Sequence, residues 1–207
     1  MKTNYPIAYS VDYPNRSLNR LTTFFRIFVS IPILIVLGTV SSMTLSHNGA
    51  STNALAVGGG LLFFGPLLMI LFRQKYPRWW FDWNLELLRF INRVGVYFLV
   101  MNDLYPSTDE EQAVHLNMPY PDVPKELNRW LPLVKWFLAV PHYFVLFFLN
   151  IVALVVTVIA WFSILVTGRY PKSMFEFVEG VIRWNIRVIG YAFILVTDKY
   201  PPFSLDY

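Results

Sequence analysis

The sequence predicts an all-α membrane protein built from two tandem pseudo-symmetric units, each a transmembrane helical hairpin followed by an amphipathic helix at the interface. Three observations carry this expectation. Hydrophobic residues make up 56% of the 207 residues and charged residues 14%, against roughly 25% charged in an ordinary soluble domain. Residues 27–72 and 136–168 contain no Asp, Glu, Lys or Arg. The chain also repeats itself: Leu18-Asn19-Arg20 pairs with Leu127-Asn128-Arg129, Arg26 with Lys135 and Pro32 with Pro141 at an offset of 109. Further on, Lys75-Tyr76-Pro77 pairs with Arg169-Tyr170-Pro171, Arg89 with Arg183 and Arg93 with Arg187 at an offset of 94, and Asp103-Leu104-Tyr105-Pro106 with Asp198-Lys199-Tyr200-Pro201 at 95.

The boundaries follow from these landmarks. The first unit is residues 1–106, with a hairpin over 27–72 turning at the polar stretch Ser46 to Asn53 and an amphipathic helix over 79–101. A linker spans 107–124, and the second unit is 125–207, with a short hairpin over 136–168 and an amphipathic helix over 173–196. In the first hairpin, Ile27 to Leu45 and Ala54 to Phe72 each offer 19 residues, roughly 28 Å of helix, the thickness of a hydrocarbon core. The 33 residues of 136–168 are too long for one straight span and scarcely enough for two. The repeat favours a short or tilted hairpin turning near Asn150, and the rival is one long helix crossing once.

Basic residues precede and follow each uncharged stretch, Arg16, Arg20 and Arg26 before the first and Arg73, Lys75 and Arg78 after it. By the positive-inside rule these ends face the cytoplasm, so both termini are expected there, in a multi-pass protein of the inner membrane. Arginines lead into the apolar run and no small-residue cleavage site follows, so the first helix is expected to stay as an anchor rather than leave as a signal peptide.

After Pro77 and Pro171 the pattern changes. Asp82, Glu86, Arg89 and Arg93 fall on one helical face, and Glu176, Glu179, Arg183 and Arg187 do the same in the second unit. Acids come first and bases later, matching each helix dipole. Such helices suit the membrane interface, with Trp79, Trp80, Trp83 and Trp184 at headgroup level; the competing reading packs them inside the protein. Arg89, Arg93, Arg183 and Arg187, with these tryptophans, are therefore candidate contacts to lipid or a partner, and Asp82, Glu86, Glu176 and Glu179 candidate members of intramolecular ion pairs.

Seven of the twelve tyrosines precede a proline, at positions 5, 13, 76, 105, 120, 170 and 200. Proline bars helix continuation and extends the residue before it, so these steps are corner pieces. The tail before Asn15 and the linker 107–124 are expected to lie as loops over the amphipathic helices.

The run Phe162-Ser163-Ile164-Leu165-Val166-Thr167-Gly168-Arg169-Tyr170-Pro171, then Arg183-Trp184-Asn185-Ile186-Arg187-Val188, and Thr197-Asp198-Lys199-Tyr200-Pro201-Pro202-Phe203-Ser204-Leu205 resemble a family of bacterial membrane proteins known only as a domain of unknown function, often present as tandem copies. The resemblance covers residues 127–205 well and 12–106 more weakly, where Gln74-Lys75 stands for Gly168-Arg169. It implies fold and location, and no activity.

No catalytic, cofactor-binding or metal-ligating set emerges. Cysteine is absent, which removes thiolate chemistry. Gly58-Gly59-Gly60, with Gly65, lies in an apolar helix and reads as a close-packing surface. His47, His115 and His142 lack ligand spacing, and His142 reads as an interfacial histidine beside Trp136 and Tyr143. The net charge of +4 on one side of a membrane points to anionic lipid headgroups and not to nucleic acid. The function that fits is a non-enzymatic scaffold or accessory subunit packed against partner membrane proteins and anionic lipid. The alternatives are a small transporter or channel, and a lipid-modifying enzyme using Glu176, Glu179 or His142.

Overall fold

The computed structural model describes residues 5–41 and 60–206. In chain order these form β1 (Ala8–Val11), α1 (Arg20–Phe24), α2 (Arg26–Ser41), α3 (Gly60–Arg73), α4 (Arg78–Phe98), β2 (Val114–Asn117), α5 (Val123–Glu126), α6 (Pro132–Leu138), α7 (Val140–Thr167) and α8 (Lys172–Ile189), with a π-helical turn at Gly190–Ile194.

Two expectations are overturned. The protein is not all-α: β1 and β2 pair antiparallel, with Tyr9 opposite Leu116 and Val11 opposite Val114. Nor does it present two membrane hairpins. Among the described residues a single helix, α7, is long and apolar enough to cross a membrane, and it runs unbroken through Asn150, where a turn was expected. Between Pro141 and Gly168 there is no glycine or proline to stop a helix. Asn150 does not need water either, because it exchanges amide hydrogen bonds with Asn185 of α8 at 3.0 and 3.3 Å. The helix ends where the first glycine allows it, at Gly168 with φ 76°, whose N–H donates to the Ile164 carbonyl. In the first unit α2 and α3 have 16 and 14 residues; the expected tip at Ser46 to Asn53, with Gly58 and Gly59, lies outside the described residues.

The bonding around each amphipathic helix recurs at the offsets of the sequence repeat. Arg26 donates to the Asn102 carbonyl and Lys135 to the Thr197 carbonyl. Asn19 N–H donates to Asp103, and Asn128 N–H to Asp198. Ile33 and Leu37 pack on Phe90 and Val94, while at the matching positions Leu146 packs on Trp184 and Val188, with His142 hydrogen-bonded to Trp184. α4 leaves through Val100 (φ 55°) and α8 through Leu195 (φ 63°), left-handed conformations that cost a non-glycine residue about 1–3 kcal/mol.

The strands cross between the halves. β1 lies on α8, where the Tyr9 carbonyl accepts from Arg183, and β2 lies on α4, where the Leu116 carbonyl accepts from Arg89. Tyr9 and Leu116 are also the cross-strand partners, so the local two-fold relation passes through that pair. The Tyr-Pro corners obey it: Tyr13 OH donates to the Tyr170 carbonyl and Tyr120 OH to the Tyr76 carbonyl. Ile7, Tyr9 and Val11 of one arm and Val114, Leu116 and Met118 of the other fill the main core beneath the ribbon.

Candidate functional site

The molecule has an apolar side and a polar side, and α7 makes the first. Its inner face, Leu146, Ala153, Thr157, Ala160 and Ile164, is buried. Its outer face stays open: Phe144, Phe148, Val155, Phe162 and Val166 are each more than half exposed. α1 and α2 extend this surface. Trp161 of α7 donates its indole N–H to the Thr23 carbonyl and stacks on Phe24 at 6.2 Å between ring centroids. Leu21, Ile27, Phe28 and Ile35 are exposed alongside. Exposed apolar side chains gathered on adjoining helices mark an interaction or membrane surface.

Cations border the patch. Arg20 and Arg169 are exposed near the C-terminal end of α7, the Arg20 guanidinium lying about 4 Å from where a Cβ on Gly168 would stand. Lys172, also exposed, is 3.8 Å from Glu176. At the end of α3, Arg73, Lys75 and Arg78 are exposed, with Arg78 over the Tyr120 ring.

The four arginines of the amphipathic helices point into the protein. Arg183, 4% exposed, donates Nε to the Tyr9 carbonyl, Nη1 to the Leu205 carbonyl and Nη2 to Glu179 at 2.6 Å. Glu179, also buried, accepts from Val11 N–H through Oε1. Arg187 donates to the carbonyls of Ser204 and Asp206, and Arg93 to those of Ser107 and Thr108. Arg89 is the most open, gripping Leu116 while pairing with exposed Glu86 at 2.6 Å. These eight charge-assisted bonds to backbone carbonyls hold the ribbon, the C-terminal tail and the start of the segment after α4. Asp82 is exposed, as are Trp79 and Trp83; Trp80 packs against the core, and Trp184 is buried.

Sequence reasoning missed two of these anchors. Lys135 is fully buried, donating to the Thr197 carbonyl and pairing with Asp198 at 2.7 Å; burial pulls its pKa down, and the Asp198 contact resists that. His142 is not interfacial but wholly buried. Its Nδ1 accepts from the Trp184 indole at 3.1 Å and its ring stacks on Phe203 at 4.0 Å. Because an indole only donates, Nδ1 carries no proton, and the imidazole serves as a packing wedge. No group of three or more His, Cys, Asp or Glu with metal-holding geometry occurs among the described residues.

Where α8 is covered by the tail, α4 is not. Leu205 lies against Gly180, but beside α4 a polar cleft of about 700 Å³ remains, lined by Glu86, Arg89, Arg93, Asp109, Glu111 and His115.

Residues 130–204, which span α6, α7, α8 and the tail, match one family model. It is described as a domain of unknown function, DUF4389. The DUF4389 segment therefore includes the apolar helix, its partner α8 and the two buried anchors Lys135 and His142, but neither strand. No curated protein and no solved structure matches the chain.

Proposed function

We propose that this chain is a non-enzymatic scaffold or accessory subunit of the bacterial inner membrane, holding its apolar side against lipid and neighbouring membrane proteins. The observation that carries the reading is the division of labour between residues. Buried ionisable groups of the amphipathic helices are engaged with the chain's own backbone, while the surface offered outward is apolar and bordered by exposed cations. An arginine held by carbonyls and a carboxylate is an anchor, poorly placed to move protons or bind a substrate. The bordering cations suit anionic headgroups. Tyr5 OH donates to the Lys199 carbonyl, so these two segments lie together, and the exposed cations suit the anionic cytoplasmic leaflet as the face they share.

Purification in mild detergent, followed by reconstitution, tests this. A partner membrane protein recovered in fixed ratio together with retained anionic lipid is the expected outcome. Substrate flux or lipid turnover by the lone protein in liposomes refutes it.

A further inference from the structure

We infer that α7, although long enough to cross a bilayer, lies in the plane of the membrane, sunk into one anionic leaflet together with the outer faces of α1 and α2. The inference rests on the membrane reading above. Its grounds are the layers behind α7. α7 and α8 form a helical hairpin closed at Gly168, and α8 still meets α7 near the far end, where Trp184 bonds His142 and Asn185 bonds Asn150. On its other side α8 is bolted to β1 and the tail, by Arg183 to Tyr9 and Leu205, Glu179 to Val11, and Tyr13 to Tyr170. Helix, helix and ribbon thus form three layers running the same way, and none can be tilted without the others.

Standing α7 upright would place Glu179, Arg183 and Arg187 of α8 across the hydrocarbon, with the ribbon beside them. Hydrocarbon would then have to take up these charges and those at the ribbon, where each costs several kcal/mol. Beside the strands lie the exposed Asp12 and Glu111, both paired with the half-buried His115. Lying flat resolves every conflict. The outer face of α7 meets acyl chains, Arg20, Arg169 and Lys172 reach headgroup phosphates, and the ribbon, two layers or roughly 20 Å from the α7 axis, remains in water.

The natural chain lacks cysteine, so single-cysteine variants of the full-length protein report cleanly. Lys172→Cys marks the C-terminal end of α7, and Lys199→Cys marks its N-terminal end, where Tyr200 OH bonds the Leu138 carbonyl; both lysines are exposed. Each variant is added to preformed vesicles of phosphatidylglycerol and phosphatidylethanolamine and treated with a membrane-impermeant maleimide. Both ends labelling fully from outside is expected. One end protected while the other reacts overturns the inference and leaves the membrane reading standing. A fluorophore on Phe148→Cys or Val158→Cys measures depth independently. Quenching by nitroxides near the headgroups should exceed that by nitroxides at the chain ends for both positions, and the reverse order overturns the inference. Failure of the unmodified protein to float with these vesicles refutes the membrane reading itself, and the inference falls with it.

Discussion

Replacing Arg183 by alanine tests how the two halves are held together. The substitution removes three bonds at once, to the Tyr9 carbonyl at 3.0 Å, the Leu205 carbonyl at 2.8 Å and Glu179 at 2.6 Å. It leaves the buried Glu179 carboxylate with Val11 N–H but without its guanidinium. Removing one partner of a buried ion pair costs about 3–5 kcal/mol, which for a chain of this size is a fall in Tm of roughly 6–20 °C. Arg89 is the built-in control, since it occupies the matching place on α4 and grips Leu116, the strand partner of Tyr9. Its pairing with Glu86 is half exposed and contributes about 0–1 kcal/mol, so Arg89→Ala loses little beyond one shared carbonyl, about 1 kcal/mol more. Thermal unfolding of both variants in the same detergent, followed by circular dichroism, should show Arg183→Ala losing at least twice as much as Arg89→Ala. Replacing the pair together, as Glu179→Gln with Arg183→Met, should recover part of the loss, because no uncompensated charge remains. Equal, small shifts for the two single variants would refute the claim that Arg183 is a buried clamp.

Three further outcomes follow from the same geometry. Lys135→Met should destabilise by about 3 kcal/mol or more through the stranded Asp198 carboxylate, and Asp198→Asn added to it should restore part of that in the same melts. Gly65→Ala should cost about 1–3 kcal/mol by overpacking, since its new Cβ would stand 2.0 Å from the Trp80 indole, and a change in tryptophan emission should accompany it. Burial raises the phenol of Tyr170 to about 12. Its folded-state pKa lies above the unfolded value of about 10, so its contribution is complete below pH 10 and is lost as pH rises towards 12. Alkaline titration of melting temperature should be flatter in this window for Tyr170→Phe than for the parent.

The sequence by itself determined the apolar character, the paired positions and the corners, because these depend only on composition and spacing. The acidic-to-basic order along Glu179 and Arg183 was readable, and so was helix termination before Tyr76-Pro77 and Tyr170-Pro171. The strands were readable too, in retrospect. Ile7, Tyr9 and Val11 alternate with Ala8 and Ser10, and Val114, Leu116 and Met118 with His115 and Asn117, a period of two. In each case the segment is short and flanked by Tyr-Pro steps that suggest only a loop. What the tertiary structure alone decided is where each charge goes and how the long apolar run travels. Periodicity puts Arg183 on the polar face of an amphipathic helix but cannot say whether that face meets headgroups or the backbone of β1, drawn from residues 174 positions away. Likewise hydropathy gives 136–168 the look of a membrane segment. Whether it turns at Asn150 depends on Asn185, which supplies in space the hydrogen bonds that a lone asparagine would otherwise have to seek in water.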